Sequence, residues 1–181
     1  MLMKSLNYKD NPQIKSDIRK LFLSAFPKDE RPPAWVFFKN ALKDTQNLYG
    51  YYENNEFIGF AQLTTYQDIC YLFFVAVSPE KRNQGYGSKI IDDVKRNNND
   101  KVILLCYEEV DKKYKDHEQR VKRREFYRKN GFLDNSVKTN EFGVVFETGY
   151  CGSHKVTYEE YVEIFVQGFG EFARKYIKRA D

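Results

Sequence analysis

The sequence has little that could hold a small protein together by covalent or metal links. Its cysteines are Cys70, Cys106 and Cys151, odd in number, far apart and without any Cys-x-x-Cys spacing. Its only histidines are His117 and His154. A disulfide framework and a metal site are therefore not expected, and the reducing cytoplasm is the expected compartment. Long apolar runs are also missing. The longest, Ile69 to Val77, falls far short of the roughly 18 residues a membrane-spanning helix needs. The first ten residues contain no apolar stretch of the kind found in a secretory leader. No membrane association is expected. A large charge of one sign is absent too: 30 Lys and Arg stand against 26 Asp and Glu, a net of +4. That excess by itself argues for neither nucleic acid nor a lipid surface.

What is present describes a folded domain. Hydrophobic residues make up 41% and charged residues 31% of 181 positions, enough for a real core in a chain that buries roughly 70% of its unfolded surface. Residues 1–181 read as a single domain without repeats, long linkers or low-complexity tracts. The basic excess is local: Asp111 to Lys129 holds nine Lys or Arg and four Asp or Glu. Six of those cations lie in Gln119 to Lys129, next to Phe126 and Tyr127, a composition that suits a nucleic-acid backbone. Interleaved Glu118 and Glu125 and the modest total charge argue against a dedicated binder.

Periodicity supplies the elements. Asn11-Pro12 opens a helix carrying Ile14, Ile18, Leu21, Phe22 and Ala25 at helical spacing, and Pro27 closes it. After the charged Lys28-Asp29-Glu30-Arg31 loop, Pro32-Pro33 starts a second helix with Trp35, Phe38 and Leu42 on its core face. Leu48 to Glu53 and Glu56 to Thr64 read as strands joined by an Asn54-Asn55 turn, because Asn tolerates positive φ. Ile69 to Val77 reads as a central strand buried on both faces. A helix follows Gly85-Tyr86-Gly87 and buries Ile90, Ile91 and Val94. Val102 to Tyr107 is a second buried strand. A charged loop leads to a helix ending near Asn130, with Gly131 as its C-terminal cap. Extended structure follows, with Glu141 to Tyr150 as the last strand. Thr157 to Glu160 forms a capping box for a helix burying Phe165, Phe169, Phe172 and Tyr176. The whole is mixed α/β.

The chemistry concentrates after the Ile69–Val77 strand. Val77-Ser78-Pro79 leads through Glu80-Lys81-Arg82-Asn83-Gln84 to Gly85-Tyr86-Gly87-Ser88 at a helix start. Unpaired backbone N–H groups there attract anions, the helix dipole adds to them, and glycines allow close approach. A pyrophosphate suits this turn, and a purely structural turn is the competing reading. Two other phosphate motifs fail on spacing. No Gly-Lys-Ser/Thr ends the loop, and a dinucleotide fingerprint would need a third glycine or alanine where Ile90 stands.

Arg82-Asn83-Gln84-Gly85-Tyr86-Gly87 resembles the Arg/Gln-x-x-Gly-x-Gly/Ala motif of the GNAT superfamily of acyl-CoA-dependent N-acyltransferases. There, as with Val77-Ser78-Pro79, it follows a strand ending in a Val-x-Pro step. Phe126-Tyr127-Arg128-Lys129-Asn130-Gly131-Phe132 independently resembles the family's Phe-Tyr-x-Lys-x-Gly-Phe signature. The two stand in the family's order with a strand between, and the resemblance spans roughly Tyr49 to Phe146.

The resemblance implies a fold and a chemistry. The fold would be a GNAT-type mixed, mostly antiparallel sheet whose parallel central strands splay apart, flanked by helices. The reaction would move an acetyl group from acetyl-CoA, the cosubstrate, to a primary amine by direct attack in a ternary complex. Backbone groups of Val75, Ala76 and Val77 would pair with the pantetheine arm. Arg82, Asn83, Gln84, Gly85, Tyr86, Gly87 and Ser88 would hold the pyrophosphate. Tyr127 matches the family's general acid, a phenol suited to protonating the departing thiolate. Glu108, at the end of the splayed strand, is the first candidate for the base and Glu109 the second. Glu30 and Arg31 would border the acceptor. The chain departs from the common pattern ahead of Tyr127, where Arg120 and Arg123 replace Asn and Ala. Lys122 and Arg128 read as solvated, while Arg123 and Arg124 stay open between solvent and the CoA 3′-phosphate. The same fold can also serve as a catalytically inactive acyl-CoA sensor. A homodimer through the C-terminal strand and aromatic helix is a further expectation.

Overall fold

The computed structural model describes residues 3–28 and 31–180. They form a mixed α/β structure with eight strands and five α-helices. The chain falls into two compact units: Met1–Thr64 with Leu72–Asn97, and Thr65–Tyr71 with Asn98–Asp181.

In the first unit the strand order is β1 (Lys4–Asn7), β2 (Gln46–Glu53), β3 (Glu56–Tyr66) and β4 (Ile69–Val77). β1 and β3 flank β2 in antiparallel fashion, with Ser5 opposite Tyr51 and Leu48 opposite Gln62. The β2–β3 turn is the Asn pair, both residues at positive φ (53° and 65°), the conformation that suits a two-residue hairpin. Helices α1 (Lys15–Ala25) and α2 (Ala34–Asn40) supply Phe22 and Phe37, whose rings stack 4.1 Å apart. Phe22 and Phe37 also pack against Phe60 of β3 and Phe74 of β4. The amphipathic α3 (Tyr86–Asn97) buries Tyr86, Ile90, Ile91 and Val94.

The core face of α2 differs from the expected one. Phe37, Phe38 and Ala41 are buried, while Trp35 is 70% and Leu42 57% exposed. At about 100° per residue, a face centred on Phe37, Phe38 and Ala41 turns Trp35 and Leu42 sideways to solvent.

In the second unit the first residues of β4 are followed, in hydrogen-bonded order, by β5 (Val102–Glu108), β7 (Val144–Cys151), β6 (Leu133–Glu141) and β8 (Ile177–Arg179). The pairs β5–β7, β7–β6 and β6–β8 are antiparallel. Helix α4 (His117–Lys129) ends at Asn130, and Gly131 follows at φ 80°. Helix α5 (Tyr158–Phe169) carries the expected capping box, with Thr157 accepting from Glu160 N and Glu160 accepting from Thr157 N. Gly170, at φ 106°, ends α5 in a backbone conformation that favours glycine. Phe172 (56%) and Tyr176 (51%) lie beyond that stop and are exposed, contrary to expectation. Phe165 is buried as expected, and Tyr161 and Ile164 are buried with it. No helix among the described residues is long and apolar enough to cross a membrane.

Candidate functional site

The first unit contains the whole predicted cofactor segment. β4 keeps the expected bounds, but its burial changes along its length. Ile69 to Leu72 are buried, whereas Phe73, Val75 and Val77 alternate as half-buried with buried Phe74 and Ala76. The strand is thus buried on both faces only at its start. From Phe73 onward one face stands partly open, which corrects the sequence reading. Side chains alternate across a strand, so Phe73, Val75 and Val77 share that face.

A short 3-10 turn (Pro79–Lys81) then carries the chain to the glycine turn. Arg82, Asn83, Gln84 and Gly85 are all exposed. Asn83 (φ 61°) and Gly85 (φ 80°) are left-handed, and they turn the chain into α3. Two side chains brace the loop: Gln84 Nε2 donates to Glu80 O at 2.9 Å and Arg82 Nε to Val77 O at 3.2 Å. Lys89 N donates to Gly85 O at 3.1 Å, so the helical ladder starts at Gly85. The N–H groups of Tyr86, Gly87 and Ser88 therefore lie in the first turn, where the ladder offers no partner. That turn contains no acidic residue, while Lys95 and Arg96 sit in the last, so the positive end of the dipole is uncompensated. Tyr86 itself faces inward, its hydroxyl donating to Glu53. Lys81 is paired with Glu56, which leaves Arg82 as the exposed cation of the turn.

The second unit contains the predicted acid and base. Tyr127 is buried on α4, its ring 5.8 Å from Tyr107 and 5.9 Å from Phe132. Burial pushes its phenol up to about 12, and the nearby Arg123 guanidinium pulls the other way. The phenol therefore keeps its proton at neutral pH. Glu108, at the end of β5, is buried and ion-paired with Arg123. Arg123, left open by the sequence, is thus the residue that links Glu108 to the surroundings of Tyr127.

Some of the remaining basic residues also find partners. Arg120 pairs with Asp116 at 2.9 Å and lies over the Tyr114 ring at 3.9 Å. Lys122 and Arg128 are exposed, as expected. Arg124 lies beside Glu125 at 3.9 Å. Glu109 is flanked by Lys113 (2.7 Å) and Lys138 (3.4 Å). The Lys113 hydrogen bond is the main cause that holds its carboxyl below the usual range, so it is poorly suited to accept a proton. Arg31 donates to Phe26 O at 3.0 Å, and Glu30 lies outside the described residues.

Comparison with known proteins agrees with this fold. Residues 44–133 match the family model of the acetyltransferase (GNAT) domain. No curated protein matches the chain in sequence. Among solved structures, a GNAT-family protein from Bacteroides thetaiotaomicron is 15% identical with a TM-score of 0.70, covering 96% of this chain and 99% of that one. An aminoglycoside 6′-N-acetyltransferase complexed with coenzyme A is 15% identical with a TM-score of 0.67, covering 83% and 96%. A GNAT family acetyltransferase from Elizabethkingia anophelis with acetyl-CoA bound is 18% identical with a TM-score of 0.61, covering 83% and 98%. At such identities these likenesses show the fold, and the family match adds the lineage: residues 44–133 form an acetyltransferase domain of the GNAT superfamily.

Proposed function

We propose that this protein is an acetyl-CoA-dependent N-acetyltransferase that passes the acetyl group to a primary amine by direct attack in a ternary complex. The observation that carries the reading is the exposed left-handed turn from Arg82 to Gly85, opening a helix whose first turn holds no acidic residue. Such an N-terminus suits a pyrophosphate. Just before it, the backbone of Val75, Ala76 and Val77 would pair with the amides of the pantetheine arm. Tyr127 would then protonate the CoA thiolate as the C–S bond breaks. Glu108 can serve as base only by giving up its ion pair with Arg123. The two neighbours named above were solved with coenzyme A and with acetyl-CoA, which supports the cosubstrate. The three cysteines are free thiols, in keeping with a cytoplasmic enzyme.

The first test is a thermal melt with and without acetyl-CoA. At 100 times its Kd the ligand should stabilise the fold by about 2.7 kcal/mol, and an amine screen for CoA release follows. Stabilisation with no release by any amine would identify an acyl-CoA-binding module instead. No stabilisation at millimolar acetyl-CoA would overturn the cofactor site.

Gly85→Ala separates backbone conformation from packing in the same turn. A Cβ there would meet nothing within 4 Å, yet φ is +80°. The expected result is a loss of about 1 kcal/mol of stability from backbone strain, with a raised KM for acetyl-CoA and little change in kcat. Urea melts and initial rates check both parts. An unchanged KM would argue against pyrophosphate contact at this turn.

A further inference from the structure

Glu108 and Arg123 meet in the second unit, and each meets little else. Glu108 ends β5 and is buried, whereas the Arg123 side chain, from α4, is 35% exposed. Among the described residues neither has another ion pair or a side-chain hydrogen bond. A guanidinium carries five N–H donors in a planar fork, and one carboxylate occupies at most two of them. The rest of the Arg123 fork has no protein acceptor, and solvent reaches it. The neighbouring arginines are placed differently. Arg120 is held by Asp116, by the Glu109 carbonyl at 3.1 Å and by the Tyr114 ring. Arg124, the next residue, is turned about 100° away around the helix and lies beside Glu125.

The other carboxylates at this end of β5 are already taken. Glu109 is held by Lys113 and Lys138, Asp111 by Lys113 at 3.5 Å, and Asp116 by Arg120. Glu147, opposite Tyr107 in register, is held by Lys138 at 3.3 Å. An acceptor that brings only ammonium groups would have to take Glu108 from Arg123. That leaves ammonium beside guanidinium, cation against cation, with one carboxylate between two claims. An acceptor with a carboxylate next to its amine removes the conflict. Its ammonium goes to Glu108 and its carboxylate to the Arg123 fork, which matches a pair of carboxylate oxygens. One ion pair becomes two, and no charge is left alone. Because Glu108 and Arg123 touch, the two charges of the acceptor must also be close, as they are across a single α-carbon.

We propose that the acceptor is a free α-amino acid whose carboxylate binds Arg123 while its amine meets Glu108; this rests on the reaction proposed above. The exchange also frees the base. Glu108 can take a proton only once Arg123 lets go, and the acceptor carboxylate is what replaces it there. The ammonium gives one proton to Glu108, which becomes a neutral acid and later returns that proton to water. The nitrogen bonds to the acetyl carbon, the C–S bond breaks, and Tyr127 gives its proton to the sulfur. The second proton shed by the nitrogen leaves to water, and Tyr127 regains one from water. In sum an ammonium and a thioester become an amide, a thiol and one free proton. Polyamines lack the group that Arg123 requires. So does the α-amine of a protein chain, whose neighbouring carboxyl is an amide.

The test measures CoA release with each of the standard L-amino acids and with spermidine. For the best amino acid it adds the carboxamide and the decarboxylated amine. Wild type should prefer the amino acid to both analogues by about 30-fold in kcat/KM, the scale of a charge-assisted hydrogen-bonded pair. Arg123→Lys keeps the charge and loses the fork, so it should raise the amino-acid KM about tenfold with KM for acetyl-CoA unchanged. Arg123→Gln should bring the preference down to a few-fold, with the loss on the amino-acid side. Melts run alongside separate folding from selectivity. An ion pair that only ties α4 to β5 would lower the melting temperature in these variants and leave the preference intact, which overturns the proposal. If Arg123→Gln does not fold, Arg123→Lys and the wild-type comparison decide. A wild-type preference for spermidine, or equal kcat/KM for the amino acid and its decarboxylated amine, overturns the acceptor class alone. Acetyl-CoA stabilisation with no CoA release from any acceptor overturns the enzyme reading and the acceptor class together.

Discussion

Tyr127→Phe is expected to lower kcat for CoA release by about 100-fold or more, while KM for acetyl-CoA and the melting temperature stay near wild type. The separation follows from how the ring is held. Its packing against Tyr107, Phe126 and Phe132 is aromatic face and edge contact, which phenylalanine reproduces. Only the hydroxyl is lost, and with it a proton that burial keeps in place up to about pH 12. An acid with so high a value delivers its proton only to a strong base, and a departing thiolate that has not yet been solvated is one. The loss should be smaller for acyl donors whose thiol leaving group is more acidic, since those need less protonation. Tyr107→Phe is the control. Its phenol is also pushed up to about 12 by burial, but it matches no family motif, so its rate should stay within a few-fold of wild type. A Tyr127→Phe enzyme with wild-type kcat from pH 6 to 9 would remove Tyr127 from the chemistry.

The parts of this fold that could be read from sequence are those whose causes are local. Ile69 to Val77 is a strand because every residue in it is apolar and its bounds are set by a turn and a proline. The Asn54-Asn55 turn, the Thr157–Glu160 capping box and the Gly131 cap each depend on a few adjacent residues, and each forms as expected. The misreadings come from long-range packing. Trp35 and Leu42 carry helical spacing, but which face of a short helix is buried depends on Phe22, Phe60 and Phe74. The edge strands β1 and β8 span four and three residues, too short to show a pattern. The glycine turn and Tyr127 could be read because each lies in a contiguous motif. Arg123 on Glu108, and Tyr161 on Glu141, join residues 15 and 20 positions apart, and no local signal marks either pair.

Gly59→Ala should be the most damaging small substitution in the first unit, and its effect should reach the cofactor strand. Gly59 lies in β3 opposite Tyr51 and needs no unusual φ. Its role is to let two backbones meet: an added Cβ would lie 2.3 Å from Ala76 O and 3.1 Å from Val77 Cα. Neither atom belongs to a side chain that could rotate away. Relief requires β4 to move off β3, straining the bond of 2.8 Å from Ser78 N to Ile58 O at the mouth of the glycine turn. Overpacking of this kind costs about 3 kcal/mol, a large share of the roughly 5–15 kcal/mol that holds a domain folded. Gly143→Ala gives the comparison, since that glycine has φ +95° but open space around it and should lose only about 1 kcal/mol. Both substitutions add the same methyl, one against a neighbouring backbone and one into open space at a strained φ, so a larger loss in Gly59→Ala reports the close approach. Acetyl-CoA affinity should fall in Gly59→Ala and not in Gly143→Ala, because only the first displaces the backbone of Ala76 and Val77 that would pair with the pantetheine arm. Equal losses of stability in the two variants would show that β3 and β4 can part at little cost, and the close approach would then have no part in shaping the site.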